Sequence, residues 1–151
     1  MSGTDGPLSA RDWAAQKAPS LEEFEAIARA GFDGLPPQFR ALIDGVPFVV
    51  AEFPEDDVLN EMEMDSPFDL MGLFEGIGLA HAAAMPATGQ MPNRIWLYRR
   101  PILDYWAENE ETLGAIITHV LIHEIGHHFG YSDNDMEKIE SRADRLGEQE
   151  P

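Results

Sequence analysis

The chain contains no cysteine, which excludes a disulfide framework and any thiolate metal site. Positive charge is scarce: 10 Lys and Arg stand against 28 Asp and Glu, for a formal net charge of −18. A surface of that sign repels nucleic acid and anionic membrane, so neither is expected as a partner. No apolar run reaches the roughly 18 residues that a membrane-spanning helix requires. The opening Met1-Ser2-Gly3-Thr4-Asp5-Gly6-Pro7 has neither the basic nor the apolar stretch of a secretory leader. Together these absences make a cytoplasmic protein the expectation. What remains suits one globular domain around one core: 151 residues, 44% of them hydrophobic. We expect a flexible N-terminal segment over 1–18, the folded domain over 19–147 and a short tail over 148–151.

One stretch carries the chemistry. His123-Glu124-Ile125-Gly126-His127-His128-Phe129-Gly130-Tyr131-Ser132-Asp133 reads H-E-x-x-H-x-x-G-x-x-D. On a helix, His123 and His127 lie one turn apart on one face, where two imidazoles converge on a single tetrahedral Zn²⁺. Glu124 projects beside them and is placed to act as general base on a water. Gly130 ends the helix in a left-handed turn, after which Asp133 swings back as the third, oxygen ligand. Asp133 has a second use, as the cap of the following helix, but Ser132 with Asp135 can supply that cap instead. The run before the motif, Leu113 to Ile125, is apolar almost all round and describes a buried helix. Two imidazoles and a carboxylate buried there without partners would cost several kcal/mol, which a metal removes.

The flanking pattern mixes short elements. Ser20-Leu21-Glu22-Glu23 is a capping box opening a helix with Leu21, Phe24, Ile27 and Ala28 on one face, closed near Gly31. Pro36-Pro37 starts a short helix from Gln38 to about Ile43. Strands are expected over Val46–Phe53, Leu70–Glu75 and Arg94–Arg99, the last halted by Pro101. Gly72 marks the second as an edge or bulged strand. Glu55–Ser66 reads as a short helix or loop, and Ala80–Pro92 as a loop. A helix over Ile102–Ala107 precedes the metal helix, expected from an Asn109 cap to about Phe129. A last polar helix runs to about Leu146 and is closed by Gly147. The fold class is α+β: a small three- to four-stranded sheet packed on a long metal-binding helix, with flanking helices.

Arg99-Arg100-Pro101 before the helix, with the motif inside it, resembles the small bacterial zincin-like metallopeptidase family over roughly residues 20–146. The resemblance implies a minimal zincin with Zn²⁺ on His123, His127 and Asp133, Glu124 as general base, and a peptide or unfolded-protein substrate. The pattern departs from better-known zincins. Metzincins place a third His where this chain has Asp133, and require a Met-turn for which Met136 is poorly placed. Gluzincins take a Glu from a later helix; Glu137 and Glu140 lie on one, but close along the chain for a return to the metal.

Other residues carry alternatives. His119, one turn before His123, reads as a core histidine or a support for a ligand rather than a ligand. His128 reads as a surface or rim residue, and Trp96, Trp106 and Phe129 as core. Tyr131, Tyr98, Arg99 and His128 are each candidates to stabilise an oxyanion. The leading function is a zinc-dependent peptidase that pairs an extended substrate with the 70–75 strand. The alternative is a zinc-stabilised, non-catalytic or weakly active module that binds peptides or a protein. A third reading is hydrolysis of a non-peptide ester or amide at the same site.

Overall fold

In the computed structural model the described residues are 8–43, 45–75 and 93–149, with backbone only over 143–149. The expected loop over 80–92 lies outside them. The architecture is α+β. Strands β1 (Phe48–Ala51), β2 (Gly72–Glu75) and β3 (Arg94–Tyr98) form a sheet in the order β1-β3-β2. β1 runs parallel to β3, with Phe48 opposite Ile95. β2 runs antiparallel to it, with Gly72 opposite Leu97. Alternation along β3 sends Ile95 and Leu97 into the core, both 0% exposed, while Trp96 and Tyr98 face the other side.

Helices cover the inward face. α1 (Ala10–Ala14) is short, opened by a Ser9/Asp12 capping box, and buries nothing. Part of the 1–18 segment, expected to be flexible, is therefore helical. α2 (Leu21–Asp33) opens at the predicted Ser20/Glu23 box. It runs past Gly31 because that glycine is a packing position: a Cβ there would lie 2.5 Å from Thr118 Oγ1. α3 (Pro37–Arg40) continues into a 3-10 turn over Ala41–Ile43. α4 (Asp56–Glu61) settles the acidic stretch as helix, followed by a 3-10 turn at Pro67–Asp69.

The remaining helices are α5 (Arg99–Glu108), α6 (Leu113–His128) and α7 (Asp133–Gln149). α6 is the axis of the fold. Ile116, Ile117, Val120, Leu121, Ile122 and Ile125 are buried in one cluster with Phe24, Phe39, Ile95, Leu97 and Ile102. Such an all-round apolar helix must be enclosed, and α2, α5, α7 and β2 enclose it.

Several expected boundaries move, each for a local reason. Strand β3 stops at Tyr98 and Arg99 begins α5 directly, because Pro101 in a first helical turn gives up no needed N–H. Helix α6 starts at a Thr112 cap that accepts from the Ala115 N–H at 3.1 Å, not at Asn109. Asn109 instead closes α5, donating its side-chain amide to the Tyr105 carbonyl at 2.7 Å. Gly147 does not end the last helix, which continues to Gln149. Trp106 and Phe129 pack against the core as expected; Trp96 does not, lying half-exposed on the far face.

A turn with no slack joins α6 to α7. The Gly130 N–H donates to the His127 carbonyl at 3.2 Å and the Tyr131 N–H to the Gly126 carbonyl at 2.8 Å. This is a Schellman closure, with Gly130 at φ 80°. The Ser132 hydroxyl accepts from the Asp135 N–H at 3.1 Å, so Ser132 caps α7 and Asp133 is left free of that task. The returning helix lays Met136, 0% exposed, on Gly126. A Cβ at 126 would lie 2.8 Å from Met136 Cγ, whereas one at Gly114 on the same helix would meet nothing within 4 Å.

Those two glycines should respond oppositely to alanine. Gly126→Ala gains about 1 kcal/mol of helix propensity but costs about 1–3 kcal/mol in overpacking, a net loss of about 1 kcal/mol. Gly114→Ala carries no steric cost and should stabilise by about 0.5–1 kcal/mol. Urea denaturation of both variants checks the contrast; two shifts of the same sign would refute the packing account.

Candidate metal centre

Residues 119, 123 and 127 follow one another at four-residue intervals along α6, so their imidazoles form one row. Ring centroids are 4.0 Å apart for His119–His123 and 5.6 Å for His123–His127. Helix α7 runs back antiparallel to this row and brings a carboxylate to each end. Asp133 Oδ1 lies 3.9 Å from His127 Nε2. Glu140 Oε1 lies 2.6 Å from His119 Nδ1. The match is geometric: the histidines span eight residues, about 12 Å of helix, and the acids span seven, about 10.5 Å.

The expected set is thus laid along one strip, with His127 and Asp133 exposed at its open end (side chains 60% and 91% accessible). His119 is not a core histidine, since 47% of its side chain is accessible. Glu140 does return to the row, but one turn above His123 rather than beside His127. Sequence reasoning missed this, although the signal was present in the matching spacings of 119/127 and 133/140 on two helices joined by a tight turn. Among the described residues, the ligating atoms of His119, His123 and Glu140 all lie within 4.8 Å of one another.

Glu124 sits on the other flank of the row, against the sheet. Its Cγ lies 3.4 Å from the position a Cβ would take on Gly72, an ordinary contact distance. That Cβ would meet Val120 Cγ1 at 2.6 Å and the Trp96 carbonyl at 3.1 Å, so Gly72 is what lets β2 lie this close to α6. Tyr98 donates its N–H to the Met71 carbonyl at 3.0 Å, and alternation from that pair turns the N–H of Phe74 away from β3. Glu124 accepts that outward N–H. The carboxylate is therefore held between the histidine row and the outer edge of β2. Burial raises its pKa above the ordinary 4.5, against smaller downward pulls from His127 and the Phe74 N–H. Burial also lowers the pKa of His123, followed by its neighbour His119, which favours the neutral ring that ligates metal.

The four candidates for oxyanion stabilisation fall in different places. Arg99 donates to the Pro19 carbonyl at 2.6 Å and to Glu52 Oε1 at 3.0 Å, tying the start of α2 to the end of β1. Tyr98 faces the far side of the sheet, its pKa pushed up to about 12 by burial and then by Glu75, Glu55 and Glu124. Tyr131 packs edge-on against Phe39, with centroids 5.4 Å apart. His128, read from sequence as a surface or rim residue, is half-buried and stacks on Phe74 with centroids 3.9 Å apart. Of the four, His128 and Tyr131 flank the end of α6.

The model of the zincin-like metallopeptidase family matches residues 43–143, from the turn before β1 to the middle of α7. The chain belongs to the zincin-like metallopeptidase family. The match takes in the whole histidine row, Glu124 and both carboxylates of α7. No curated protein matches the chain closely enough to count as a relative. Among the described residues no helix is long and apolar enough to cross a membrane.

The raised pKa of Glu124 has a stability consequence with a definite sign. The folded state keeps this proton to higher pH than the unfolded chain does. Its contribution is fully favourable below about pH 4.5 and is lost as pH rises through the raised folded value. In metal-free protein, Glu124→Gln should therefore gain stability over the parent, and the gain should grow as pH rises above about 4.5 and level off once the raised folded value is passed. Denaturation curves at several pH values check this; a pH-independent difference would count against burial as the cause.

Proposed function

We propose that this protein is a zinc-dependent hydrolase that cleaves peptide bonds, with Glu124 as general base and His123, His127 and Asp133 as the metal ligands. The observation that carries the reading is the position of Glu124, fixed by the Phe74 N–H between the histidine row and the outer edge of β2. The donor types suit zinc: two imidazoles one helical turn apart and a carboxylate 3.9 Å from one of them, with no thiolate in the chain. The structure gathers these three less closely than it gathers His119, His123 and Glu140. Bound there, zinc would supply a Lewis acid that polarises a carbonyl and acidifies water.

The chain's own groups do the rest. An extended peptide laid along the outer edge of β2 would meet the backbone groups of Gly72 and the carbonyl of Phe74, which do not face β3, while the Phe74 N–H stays with Glu124. Glu124, adjacent to that edge, takes the proton from the attacking water and delivers it to the leaving amine. Its raised pKa brings it nearer the working pH of an acid–base group that must accept and then donate. His128 and Tyr131, at the end of α6, are the candidates on the same helix end as His127 for donating to the developing oxyanion. The accessible His127 and Asp133 make the site an open one, which suits peptides and unfolded proteins better than a substrate needing an enclosed pocket.

Glu124→Gln should keep zinc and lose at least about 100-fold in peptide turnover, because the amide cannot accept the proton. His123→Ala should lose both metal and turnover. Zinc at about 100 times its Kd should stabilise the parent by about 2.7 kcal/mol, reversibly by chelator. Peptide-library digestion and melting curves are the measurements. Turnover by Glu124→Gln at the parent rate would exclude Glu124 as base. Peptide binding by both proteins with turnover by neither would leave a zinc-stabilised binding module.

A further inference from the structure

The histidine row offers two pairs with i, i+4 spacing, and the catalytic reading uses only one. His119 and His123 are the other. Their rings are closer than those of His123 and His127, at 4.0 Å against 5.6 Å. They too have a carboxylate from α7: Glu140, whose Oε1 touches His119 Nδ1 at 2.6 Å. The three ligating atoms lie within 4.8 Å of one another, and ligands about 2.0–2.1 Å from a tetrahedral ion stand roughly 3.3 Å apart. Shifts of about an ångström or less would close the shell. His119 and Glu140 side chains are 47% and 27% accessible, so an ion can enter without unfolding α6 or α7. No Lys or Arg pairs with Glu140 among the described residues, and the net charge of −18 concentrates cations around the chain.

We propose that His119, His123 and Glu140 form a second metal register, one helical turn above His123, His127 and Asp133, that takes zinc or another borderline transition ion and competes with the catalytic register for His123. Two nitrogens and one oxygen select Zn²⁺, Co²⁺, Ni²⁺ or Cu²⁺ over Mg²⁺ and Ca²⁺, which take oxygen shells. A neutral imidazole has one free lone pair, so His123 serves one ion at a time. The row therefore holds one ion in either of two places about 6 Å apart along the axis, not two ions together. An ion in the upper register leaves His127 and Asp133 without metal and is unproductive. The competition rests on the catalytic reading given above; the existence of the upper register does not.

The test is Co²⁺ titration, read by the absorption bands of a tetrahedral site and by calorimetry. It is made on metal-free parent, on His127→Ala/Asp133→Ala, and on that double variant with Glu140→Gln added; circular dichroism confirms that each is folded. The double variant should still bind one Co²⁺ with a tetrahedral spectrum. Adding Glu140→Gln should weaken that binding at least about tenfold, and His119→Asn in the same background should do likewise without altering the carboxylate. The parent should bind one ion, not two. A double variant that binds no Co²⁺, or whose affinity ignores both Glu140→Gln and His119→Asn, would overturn the upper register, as would two tetrahedral ions in the parent overturn the competition. The two readings fail separately: peptide turnover by the parent with no Co²⁺ on the double variant removes the register alone. Full turnover by Glu124→Gln, with Co²⁺ retained by the double variant, removes the catalytic reading alone.

Discussion

The contact of Met136 with Gly126 sets how far α7 slides along α6, and the two histidine–carboxylate pairs of the site follow from that register. A methylene more at position 126 would press on the buried Met136 side chain and force it out of this seat. With the helices seated, the Schellman turn at Gly130 and the Ser132 cap leave α7 one way to return. Asp133 then comes to His127 and Glu140 to His119. The apolar surface of α6 supplies the driving force and the glycine supplies the fit. The polar row is possible only because its one accessible stripe faces α7 and the edge of β2.

The opposite flank of α6 follows the same logic. Gly72 lets β2 approach closely enough for the Phe74 N–H to reach Glu124, while Phe74 stacks on His128. Burial pushes the pKa of this half-buried carboxylate up, while His127 and the Phe74 N–H pull it back to a smaller extent. Among the described residues the strand β2 thus packs on one side against β3 and on the other brings the Phe74 N–H to Glu124.

How much of this was legible beforehand depends on how far apart the determinants lie in sequence. The motif, the Gly130 turn, the Ser20 and Ser132 caps and the α+β class are local patterns of spacing and capping, and they appear in the structure where the sequence placed them. Strand and helix ends shifted where two local signals competed, as at Asn109 against Thr112, or where Pro101 was read as a stop instead of a first-turn residue. Closeness along the chain argues, from sequence alone, against a return of Glu137 or Glu140 to the metal, yet Glu140 does reach the row at His119. In an antiparallel hairpin of helices, proximity to the turn fixes which residues meet, and equal spacing on the two helices predicts the pairs. The placement of Trp96 on the far face likewise follows from strand alternation, a two-residue rule that composition alone does not convey.

The location of zinc on this row is the most direct test of the account. Anomalous diffraction at the zinc edge, from crystals of protein loaded with one equivalent, should place the principal peak between His123, His127 and Asp133. The Glu124 carboxylate should stand beside it and outside its ligand shell. A peak ligated by Glu124, or occupied only at His119, His123 and Glu140, or absent from α6 altogether, would contradict it.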